Sequence, residues 1–392
     1  MRVLVTADTV GGVWTYTREL VAGLTRHGVQ VTLISFGDIP SPRQSAWIDG
    51  LPGLDYRPTA FRLEWMQESQ RDVEQSARYL ESIIREVRPD LLHLNQYCYG
   101  SVAADVPRIV VAHSDVVSWW ISVHGEEPPP SPWLRWYRQV VGRGLSSATA
   151  VVAPSRWMLN MLGEIYGPPA QGTVVYNGRS THLFNPHMTK TECVLAVGRL
   201  WDCAKQVSLL TRYPQALPVW IAGSDAHPEE KLRGDSGLGR QPNVELKGEL
   251  PEKQVRMLYA RAAIYAATSR YEPFGLAPLE AAMSRCALLA NDIPTFHELW
   301  GDSAIYFRRN DGADLAEKIR HRIDLRATAA ALPQHRGAPP RRSRPQRGAG
   351  LHRRTREPRS CRRRRRQRRR SRPAGHDERS KRGAAPEQRH GQ

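Results

Sequence analysis

Short apolar runs alternate with helical patterns along most of this chain, and that alternation constrains its fold more than any other feature. The first unit consists of an apolar run at residues 3–5, the pair Gly11-Gly12, a helical pattern that reaches Leu24, and a second apolar run at residues 29–34. A strand, a glycine turn, a helix and a strand in this order form a βαβ unit with parallel strands. Uninterrupted apolar runs indicate strands buried on both faces, so we expect helices on both sides of the sheet.

The alternation continues in two successive series, which turn-prone residues 177–191 separate. In the first series, a helix is predicted at residues 64–88 and another after Ser155, a candidate N-cap. Further strands of this series are predicted at residues 91–94, 109–112, 150–153 and 173–176. Strands of the second series are predicted at residues 194–197, 218–222, 244–246, 263–267, 287–289 and 304–307, with helices at residues 251–260, 275–284 and 314–319.

Two series of this kind predict an α/β protein with two doubly wound, Rossmann-like domains that face each other across an interdomain cleft. The predicted parts are an N-terminal domain at residues 1–176, a linker at 177–191, a C-terminal domain at 192–325 and a tail at 326–392. Open α/β sheets bind ligands beyond the carboxyl ends of their strands, so a cleft between two of them suits two substrates.

The formal charge of +18 belongs to the tail rather than to the two domains. Residues 326–392 carry 23 Lys+Arg and 4 Asp+Glu, whereas residues 1–325 carry 34 basic and 35 acidic residues. The tail has no aromatic residue and little Leu, Ile or Val, so we predict an Arg-rich disordered segment. It is either a basic arm for nucleic acid or anionic lipid, or a non-native end produced by a frame shift. We favour the frame shift, since the composition changes abruptly after a helix start.

Cysteine usage and hydropathy indicate the cellular compartment in which the protein resides. The five cysteines form no C-x-x-C pair, so we expect neither a zinc site nor a disulfide framework. The sequence has no run of eighteen apolar residues and no signal-peptide pattern at its start. We therefore expect a cytoplasmic protein, and peripheral association with the inner face of the membrane stays open.

The most informative segment is at residues 269–280, where two glutamates flank a Pro-Phe-Gly turn. Glu272 is expected at the end of a strand, and Glu280 about one and a half turns into the next helix. The amide donors expected at the start of this helix, a natural phosphate site, are those of Phe274, Gly275, Leu276 and Ala277. The carboxylates would then accept hydrogen bonds from sugar hydroxyls. The alternative is that acids near a helix N-terminus only stabilise the helix.

A second segment carries cations. Gly198 and Arg199 directly follow the strand predicted at 194–197, and Lys205 is expected to begin the next helix. Two cations at the carboxyl end of a strand suit a diphosphate that gains charge as it leaves. The alternative for Arg199 is a structural ion pair with Asp202.

Three further patterns narrow the range of cofactors, metal ions and substrate contacts that we expect. Gly11 and Gly12 lack the third glycine of G-x-G-x-x-G, and no acid ends the second strand, which disfavours a nicotinamide site. His113 ends an apolar strand and is expected to point toward the cleft, although a structural role is more common for such a histidine. No D-x-D sequence occurs, so we expect no metal ion on the diphosphate.

These motifs together resemble glycosyltransferase family 4 (group 1), the large retaining family with the GT-B fold. The resemblance covers about residues 1–310 and is completed by residues 153–155 and by Asn177-Gly178. It implies that the N-terminal domain is the acceptor side, that the C-terminal domain binds the donor, and that Arg199 and Lys205 bind the donor pyrophosphate. By the same resemblance, Glu280 would bind the ribose and Glu272 would contact the transferred hexose. His113 would lie beside the reacting sugar, and Gly12 would approach the phosphate.

The function that this resemblance implies is metal-independent transfer of a hexose, with retention, from a nucleotide diphosphate sugar. No cofactor is expected, the donor would be UDP- or GDP-linked, and the acceptor would be a carbohydrate, a lipid or a small molecule. Attack would occur at the front face, with the departing phosphate taking the proton of the acceptor. The alternatives are a sugar-nucleotide epimerase or a phosphorylase of the same fold. A nucleic-acid-binding protein that uses the tail is disfavoured, because the tail offers no aromatic side chain for base stacking.

The sequence departs from the family pattern in three places. Arg285 stands where the family usually has glycine, and Asn291 stands where a small residue is common. The terminal helix of the family usually braces the first domain, and we expect no such helix in residues 326–392.

Overall fold

The computed structural model describes residues 1–225 and 241–321, and these residues form two parallel sheets. The strands of the first sheet are β1 (Arg2–Asp8), β2 (Gln30–Phe36), β3 (Leu54–Pro58), β4 (Leu91–Leu94), β5 (Arg108–Val111), β6 (Ala150–Ala153) and β7 (Gly172–Val174). The strands of the second sheet are β8 (Thr191–Val197), β9 (Val219–Ala222), β10 (Val244–Gly248), β11 (Ala262–Ala267), β12 (Ala287–Asn291) and β13 (Ile305–Phe307).

Helices connect the strands of both sheets. Those associated with the first sheet are α1 (Gly12–Arg26), α2 (Pro42–Ser45), α3 (Gln70–Val87), α4 (Val116–His124), α5 (Pro132–Ser147) and α6 (Arg156–Tyr166). Those associated with the second are α7 (Glu252–Arg261), α8 (Leu276–Met283), α9 (Pro294–Trp300) and α10 (Gly312–Arg320). Single 3₁₀ turns lie at Tyr97–Ser101, Thr181–Leu183, Cys203–Lys205, Val207–Leu210 and Gly301–Ser303.

The strand order is that of two doubly wound domains. The first sheet runs β3-β2-β1-β4-β5-β6-β7 and the second β10-β9-β8-β11-β12-β13, with parallel pairing throughout. The order therefore reverses between β1 and β4 in the first sheet and between β8 and β11 in the second. The predicted fold, two Rossmann-like domains of GT-B type, is confirmed.

Alternation along the central strands builds a core on each face of each sheet. Leu4 packs into one apolar cluster of the first domain, while Val5 packs into the cluster on the opposite face, because successive side chains of a strand point to opposite sides. Val194 and Leu195 divide in the same way in the second domain. All four side chains are fully buried, and each contributes about 1.5–3 kcal/mol to the hydrophobic stabilisation.

Most predicted elements are present, with differences where the apolar pattern is weak. Strand β3 was missed because it lies at the sheet edge and none of its residues is fully buried. The helix predicted at 64–88 begins at Gln70, because residues 64–69 form turns. The N-cap prediction is confirmed, since Ser155 Oγ accepts a 3.1 Å hydrogen bond from the Met158 amide.

Two local expectations around the site were wrong. Lys205 does not begin a helix, because it ends the 3₁₀ turn Cys203–Lys205. Glu272 does not end a strand, because β11 stops at Ala267 and Glu272 lies in the loop before α8.

The boundaries of the domains and linker remain predictions. Strand β7 ends at Val174 and β8 begins at Thr191, so the two sheets are separated by the turn-prone stretch. The predicted tail at 326–392 lies outside the described residues. Among the helices that the structure describes, none is both long and apolar enough to cross a bilayer.

Candidate active site

The predicted donor residues converge where the strand order of the second sheet reverses. Gly198 and Arg199 follow β8, and the loop that carries Glu272 follows β11, the neighbouring strand. This is the position at which an open α/β sheet forms a crevice beyond the carboxyl ends of its strands. The fold therefore brings together motifs that are about seventy residues apart in the sequence.

Lys205 and Glu272 form a close ion pair in this region. The Lys205 ammonium lies 2.6 Å from Glu272 Oε2, and both side chains are mostly buried. The hydroxyl of Ser269 donates to the same carboxylate oxygen at 2.9 Å, and the Thr268 hydroxyl donates to the Lys205 carbonyl at 2.6 Å. These contacts hold the cation and the carboxylate at one point of the crevice.

Arg199 is held beside the same crevice by an acid and an indole. Its Nη2 lies 2.8 Å from Asp202 Oδ2, and its guanidinium lies 5.0 Å from the centre of the Trp201 ring. Asp202 is buried and also accepts a 3.3 Å hydrogen bond from Trp119 Nε1 of the first domain. The ion pair with Asp202, which was the alternative role predicted for Arg199, is thus present. The Arg199 side chain nevertheless remains 43% exposed and accessible to a ligand.

The glycine pair of the first domain lies against these predicted donor residues. Gly11 adopts φ +72°, a left-handed conformation that favours glycine, and a Cβ on it would lie 3.8 Å from Arg199 Nη1. A Cβ on Gly12 would lie 3.6 Å from the Leu276 side chain at the start of α8. The loop after β1 therefore closes over the crevice of the second domain.

The turn before α8 requires glycine at position 275. Gly275 has φ +92°, and a Cβ there would lie 3.2 Å from Glu272 Cγ and 3.1 Å from Pro278 Cγ. Phe274 is buried beside it, and Leu276 is the first residue of the helix. The first amides of a helix have no partner within it, so this turn presents donors next to Lys205 and Glu272.

Glu280 is bound to an arginine that lies in the predicted linker. Arg179 Nε lies 2.7 Å from Glu280 Oε1, Nη1 lies 2.7 Å from Glu19, and Nη2 lies 3.1 Å from Glu252. The Arg179 side chain is 1% exposed. Arg18 of α1 adds two bonds to Glu252, at 2.7 and 2.8 Å. We name Arg18, Glu19, Arg179, Glu252 and Glu280 the interdomain ion cluster.

Burial and charge act in opposite directions on the acids of this cluster. Burial raises the pKa of Glu280, and the Arg179 charge partly offsets that effect. Hydrogen bonds from Arg18 lower the pKa of Glu252 to about 2. Sequence reasoning missed the cluster because its members are far apart and Arg179 stands in a turn-prone stretch that resembles an exposed linker.

His113 lies in a polar group of the first domain. Asn95 donates from Nδ2 to the Thr6 carbonyl at 2.6 Å, so its Oδ1 faces His113 Nε2 at 2.8 Å and accepts a hydrogen bond from it. The ring also packs edge-on against Tyr16, with centroids 4.6 Å apart. Burial lowers the pKa of His113 to about 3. The imidazole is therefore neutral and directed at Asn95, and a place beside the reacting sugar stays a prediction.

Two buried acids near the end of β1 were also missed. Asp8 accepts a 2.6 Å hydrogen bond from the Val10 amide and a 3.2 Å bond from Trp65 Nε1. Glu64 accepts a 3.0 Å bond from the Tyr97 amide. Burial raises the pKa of each carboxyl to about 7. The sequence pattern that could have identified Asp8 as a candidate site residue is its position at the carboxyl end of an apolar strand.

Several solved structures have the same fold as this chain. Sucrose-phosphate synthase from Thermosynechococcus elongatus superimposes with a TM-score of 0.66 at 18% identity, covering 84% of this chain and 91% of that one. HepE of Anabaena in complex with UDP and glucose gives 0.63 at 16% identity, covering 84% and 92%. WaaG, a glycosyltransferase of lipopolysaccharide biosynthesis, gives 0.62 at 13%, covering 84% and 93%. The fold is that of GT-B glycosyltransferases.

Two family models match in succession along the chain. The model described as Glycosyltransferase Family 4 matches residues 10–183, and the model described as Glycosyl transferases group 1 matches residues 191–324. Together they cover more than half of the chain. The protein belongs to the family 4, group 1 glycosyltransferases, as the motifs predicted.

Curated relatives match over parts of their length. The lipopolysaccharide core mannosyltransferase LpcC of Rhizobium leguminosarum is 35% identical over 26% of this chain and 29% of its own. The O-antigen chain mannosyltransferase RfbU of Salmonella typhimurium is 22% identical over 51% and 60%. The glycogen synthase of Mycobacterium tuberculosis is 26% identical over 62% and 63%. The chain thus matches less than two thirds of the length of each of these relatives.

Proposed function

We propose that this glycosyltransferase moves a hexose, with retention of configuration, from a nucleotide diphosphate sugar to a hydroxyl-bearing acceptor. The observation that carries the proposal is the convergence of Arg199, the Lys205–Glu272 pair and the start of α8 against the Gly11-Gly12 loop. Cations and helix amides suit a diphosphate, and carboxylates suit sugar hydroxyls. Both types of group are present within one crevice.

Each residue has a separate role in this proposal. Arg199, Lys205 and the amides at the start of α8 bind the diphosphate. Glu280 accepts hydrogen bonds from the ribose through its second carboxylate oxygen, since Arg179 binds Oε1. Glu272 binds the hexose. UDP and UDP-glucose in the HepE structures, and relatives named for mannosyl transfer and glycogen synthesis, support a nucleotide-linked hexose.

The reaction needs no metal ion in this scheme. The oxygen of an acceptor hydroxyl forms a bond to the anomeric carbon while the bond from that carbon to the diphosphate oxygen breaks. The acceptor's proton passes to the departing phosphate oxygen. The developing negative charge on the diphosphate is stabilised by Arg199, Lys205 and the helix amides, which act as preorganised electrostatic groups. Attack and departure occur on the same face of the sugar.

A donor screen followed by Lys205→Ala tests the proposal. The full chain is heated with UDP-, GDP-, ADP- and dTDP-linked hexoses in the presence of EDTA, and a donor that binds the folded state raises the melting temperature. Turnover of that donor is then measured. Loss of a preorganised charge at the leaving group lowers catalysis by about 10²–10³-fold, so we expect a loss of that size in kcat for Lys205→Ala.

Lys247→Ala is the matched control, because Lys247 pairs with the exposed Glu245 away from the crevice. It should retain parental turnover. Near-parental donor turnover in Lys205→Ala would show that the site is assigned wrongly. NMR of the product anomer decides between retention and inversion. A reaction without acceptor that yields an altered sugar nucleotide would favour an epimerase, and one that requires inorganic phosphate would favour a phosphorylase.

A further inference from the structure

The loop before α8 contacts the first domain through the two residues that precede Glu272. The Arg270 amide donates to the Ala204 carbonyl at 2.8 Å, which fixes the loop to the 3₁₀ turn that ends at Lys205. The side chains of Arg270 and Tyr271 reach helix α4 of the first domain. The segment that carries this candidate sugar-binding carboxylate is therefore anchored on both domains.

Arg270 and Tyr271 bind opposite ends of α4. Arg270 Nη1 donates to the Val123 carbonyl at 3.0 Å, in the last turn of the helix. A cation is favourable there, because the last carbonyls of a helix have no partner within it. At the other end, the Tyr271 hydroxyl accepts a 3.1 Å hydrogen bond from the Asp115 amide and lies 3.0 Å from Ser118 Oγ. Consecutive residues of the loop thus hold both ends of one helix.

The Tyr271 hydroxyl donates a hydrogen bond as well as accepting one. The Ser118 hydroxyl donates its own proton to the Asp115 carbonyl at 3.0 Å, so the proton between Ser118 and Tyr271 comes from the tyrosine. Burial raises the pKa of Tyr271, and the hydroxyl therefore keeps this proton at neutral pH. Phenylalanine at this position would keep the ring and lose both bonds.

Asp115, to which Tyr271 is bound, is itself held by neighbouring helices. Its Oδ1 accepts hydrogen bonds from the Tyr137 hydroxyl of α5 at 3.0 Å and from the Tyr166 hydroxyl of α6 at 2.7 Å. The Tyr271 ring also packs edge-on against Trp157 of α6, with centroids 5.6 Å apart. Tyr271 is therefore attached to the packed interior of the first domain, where its side chain is buried.

This attachment lies between two predicted sugar contacts, one in each domain. Glu272 directly follows Tyr271 and is paired with Lys205 within the second domain. His113 stands two residues before Asp115, in the loop that follows β5. The bonds of Tyr271 therefore fix the position of the second-domain carboxylate relative to the first-domain histidine.

We propose that Tyr271 is a positioning residue of the transfer reaction, which holds Glu272 in place relative to the first domain through its bonds to the start of α4. This inference rests on the proposed function, in which Glu272 binds the hexose, and Tyr271 acts through Glu272 rather than by contact with the substrates. The groups proposed to bind the nucleotide belong to the second domain. Loss of the Tyr271 hydroxyl should therefore lower the rate of turnover and leave nucleotide binding intact.

Tyr271→Phe tests the proposal in the full chain. The probe is the sugar nucleotide that raises the parental melting temperature most in the donor screen, and release of the nucleoside diphosphate is measured. We expect kcat to fall about tenfold, the effect of one lost buried hydrogen bond on the population of the reactive arrangement. The KM of the sugar nucleotide and its melting-temperature shift should stay at the parental values.

Tyr99→Phe is the matched control. The buried Tyr99 hydroxyl donates to Ser76 Oγ at 2.8 Å, and both residues belong to the first domain. Each variant loses the bonds of one buried tyrosine hydroxyl and should lower the melting temperature, but only Tyr271→Phe should lower kcat. A role in folding alone would affect the two variants alike.

A double-mutant cycle with Ser118→Ala tests whether the effect passes through the contact between the domains. Ser118→Ala alone should lower kcat and leave donor binding unchanged, because it removes the acceptor of the Tyr271 proton. Two substitutions that remove the same hydrogen bond are not additive. We therefore expect the double variant to have about the kcat of Tyr271→Phe alone.

The proposal is overturned if Tyr271→Phe keeps the parental kcat, or if its affinity for the sugar nucleotide falls as far as its rate. It is also overturned if Tyr99→Phe loses as much kcat, or if the effects of Tyr271→Phe and Ser118→Ala on kcat multiply. These results leave the proposed function intact as long as a sugar nucleotide binds the parent and Lys205→Ala loses its turnover. A parent that binds none of the screened sugar nucleotides contradicts the proposed function itself, and this inference with it.

Discussion

Glu64 illustrates how burial governs chemistry at the scale of a single residue. Its side chain is 4% exposed, and burial raises the pKa of its carboxyl to about 7. The folded state thus holds the proton more tightly than the unfolded chain does. Between the unfolded pKa near 4.5 and the folded pKa near 7, rising pH forces ionisation of a buried group, so this residue lowers the free energy of unfolding across that range.

Glu64→Gln should remove this cost while keeping the acceptor for the Tyr97 amide. We expect no difference from the parent in the free energy of unfolding at pH 4.5, and a variant that is more stable by about 3 kcal/mol at pH 8, since each pKa unit corresponds to about 1.4 kcal/mol. Urea unfolding at both pH values measures the difference in the free energy of unfolding between the variant and the parent. The control Glu86→Gln has the opposite sign, because Arg57 lowers the pKa of Glu86. A pH-independent difference for Glu64→Gln would contradict the interpretation.

At the scale of elements, the end of α8 explains one departure from the family pattern. The Cys286 amide donates to the Ala281 carbonyl and the Arg285 amide to the Ala282 carbonyl, both at 2.9 Å. These two bonds form a Schellman motif, which puts the residue after the C-cap into the left-handed region. Arg285 occupies that position with φ +60°, where glycine is favoured. Glycine is therefore the conformationally favoured residue at this helix end, and arginine adopts the conformation at a cost in strain.

Arg285→Gly should stabilise the fold by about 0.5–1 kcal/mol, because relief of the left-handed strain exceeds the added entropy of the unfolded chain. Arg78→Gly is the matched control, since Arg78 is exposed in the middle of α3. It should destabilise the fold by about 1 kcal/mol. Melting temperatures compare the two. Equal losses in both variants would show that Arg285 is held by contacts rather than strained.

At the scale of the whole molecule, the interdomain ion cluster connects the two domains through the stretch between them. Glu19 belongs to α1 of the first domain, Glu252 and Glu280 to α7 and α8 of the second, and Arg179 lies between the sheets and binds all three. Removing one partner of a buried ion pair is costly because the remaining charges are left uncompensated. The cluster thus couples the arrangement of the domains to the carboxylate proposed to bind the ribose.

Arg179→Met should lower the free energy of unfolding by about 3–5 kcal/mol and weaken binding of the sugar nucleotide. Arg57→Met is the control, because Arg57 makes a similar two-acid contact with Asp55 and Glu86 at the surface. Exposed pairs contribute about 0–1 kcal/mol, so its loss should be small. Chemical denaturation and the donor-induced melting shift provide the readouts. If the two variants lose equal stability, the cluster does not couple the domains.

The elements that could be predicted are those with a strong local pattern. Apolar runs such as 194–197 are strands, and the ordered motifs predicted both the fold and the family. The edge strand Leu54–Pro58 was not predicted, because it has no continuous apolar run. Within the site, the local structure predicted for Lys205 and Glu272 was wrong, and their roles in binding remain predictions. Their contact depends on adjacent strands β8 and β11 rather than on either segment alone.

The amino-acid sequence was sufficient for the two-domain α/β architecture, because the periodicity of apolar residues is a local property that every βαβ unit displays. It also located the two short segments, at residues 198–205 and 269–280, that the fold brings together, because the motif residues of each lie close together in the sequence. Only the tertiary structure decided the partners of the buried charges: Arg179 with three distant glutamates, and Asp8 with the Trp65 indole. Burial and pairing are set by strand order and by the approach of the two domains, and neither leaves a local pattern.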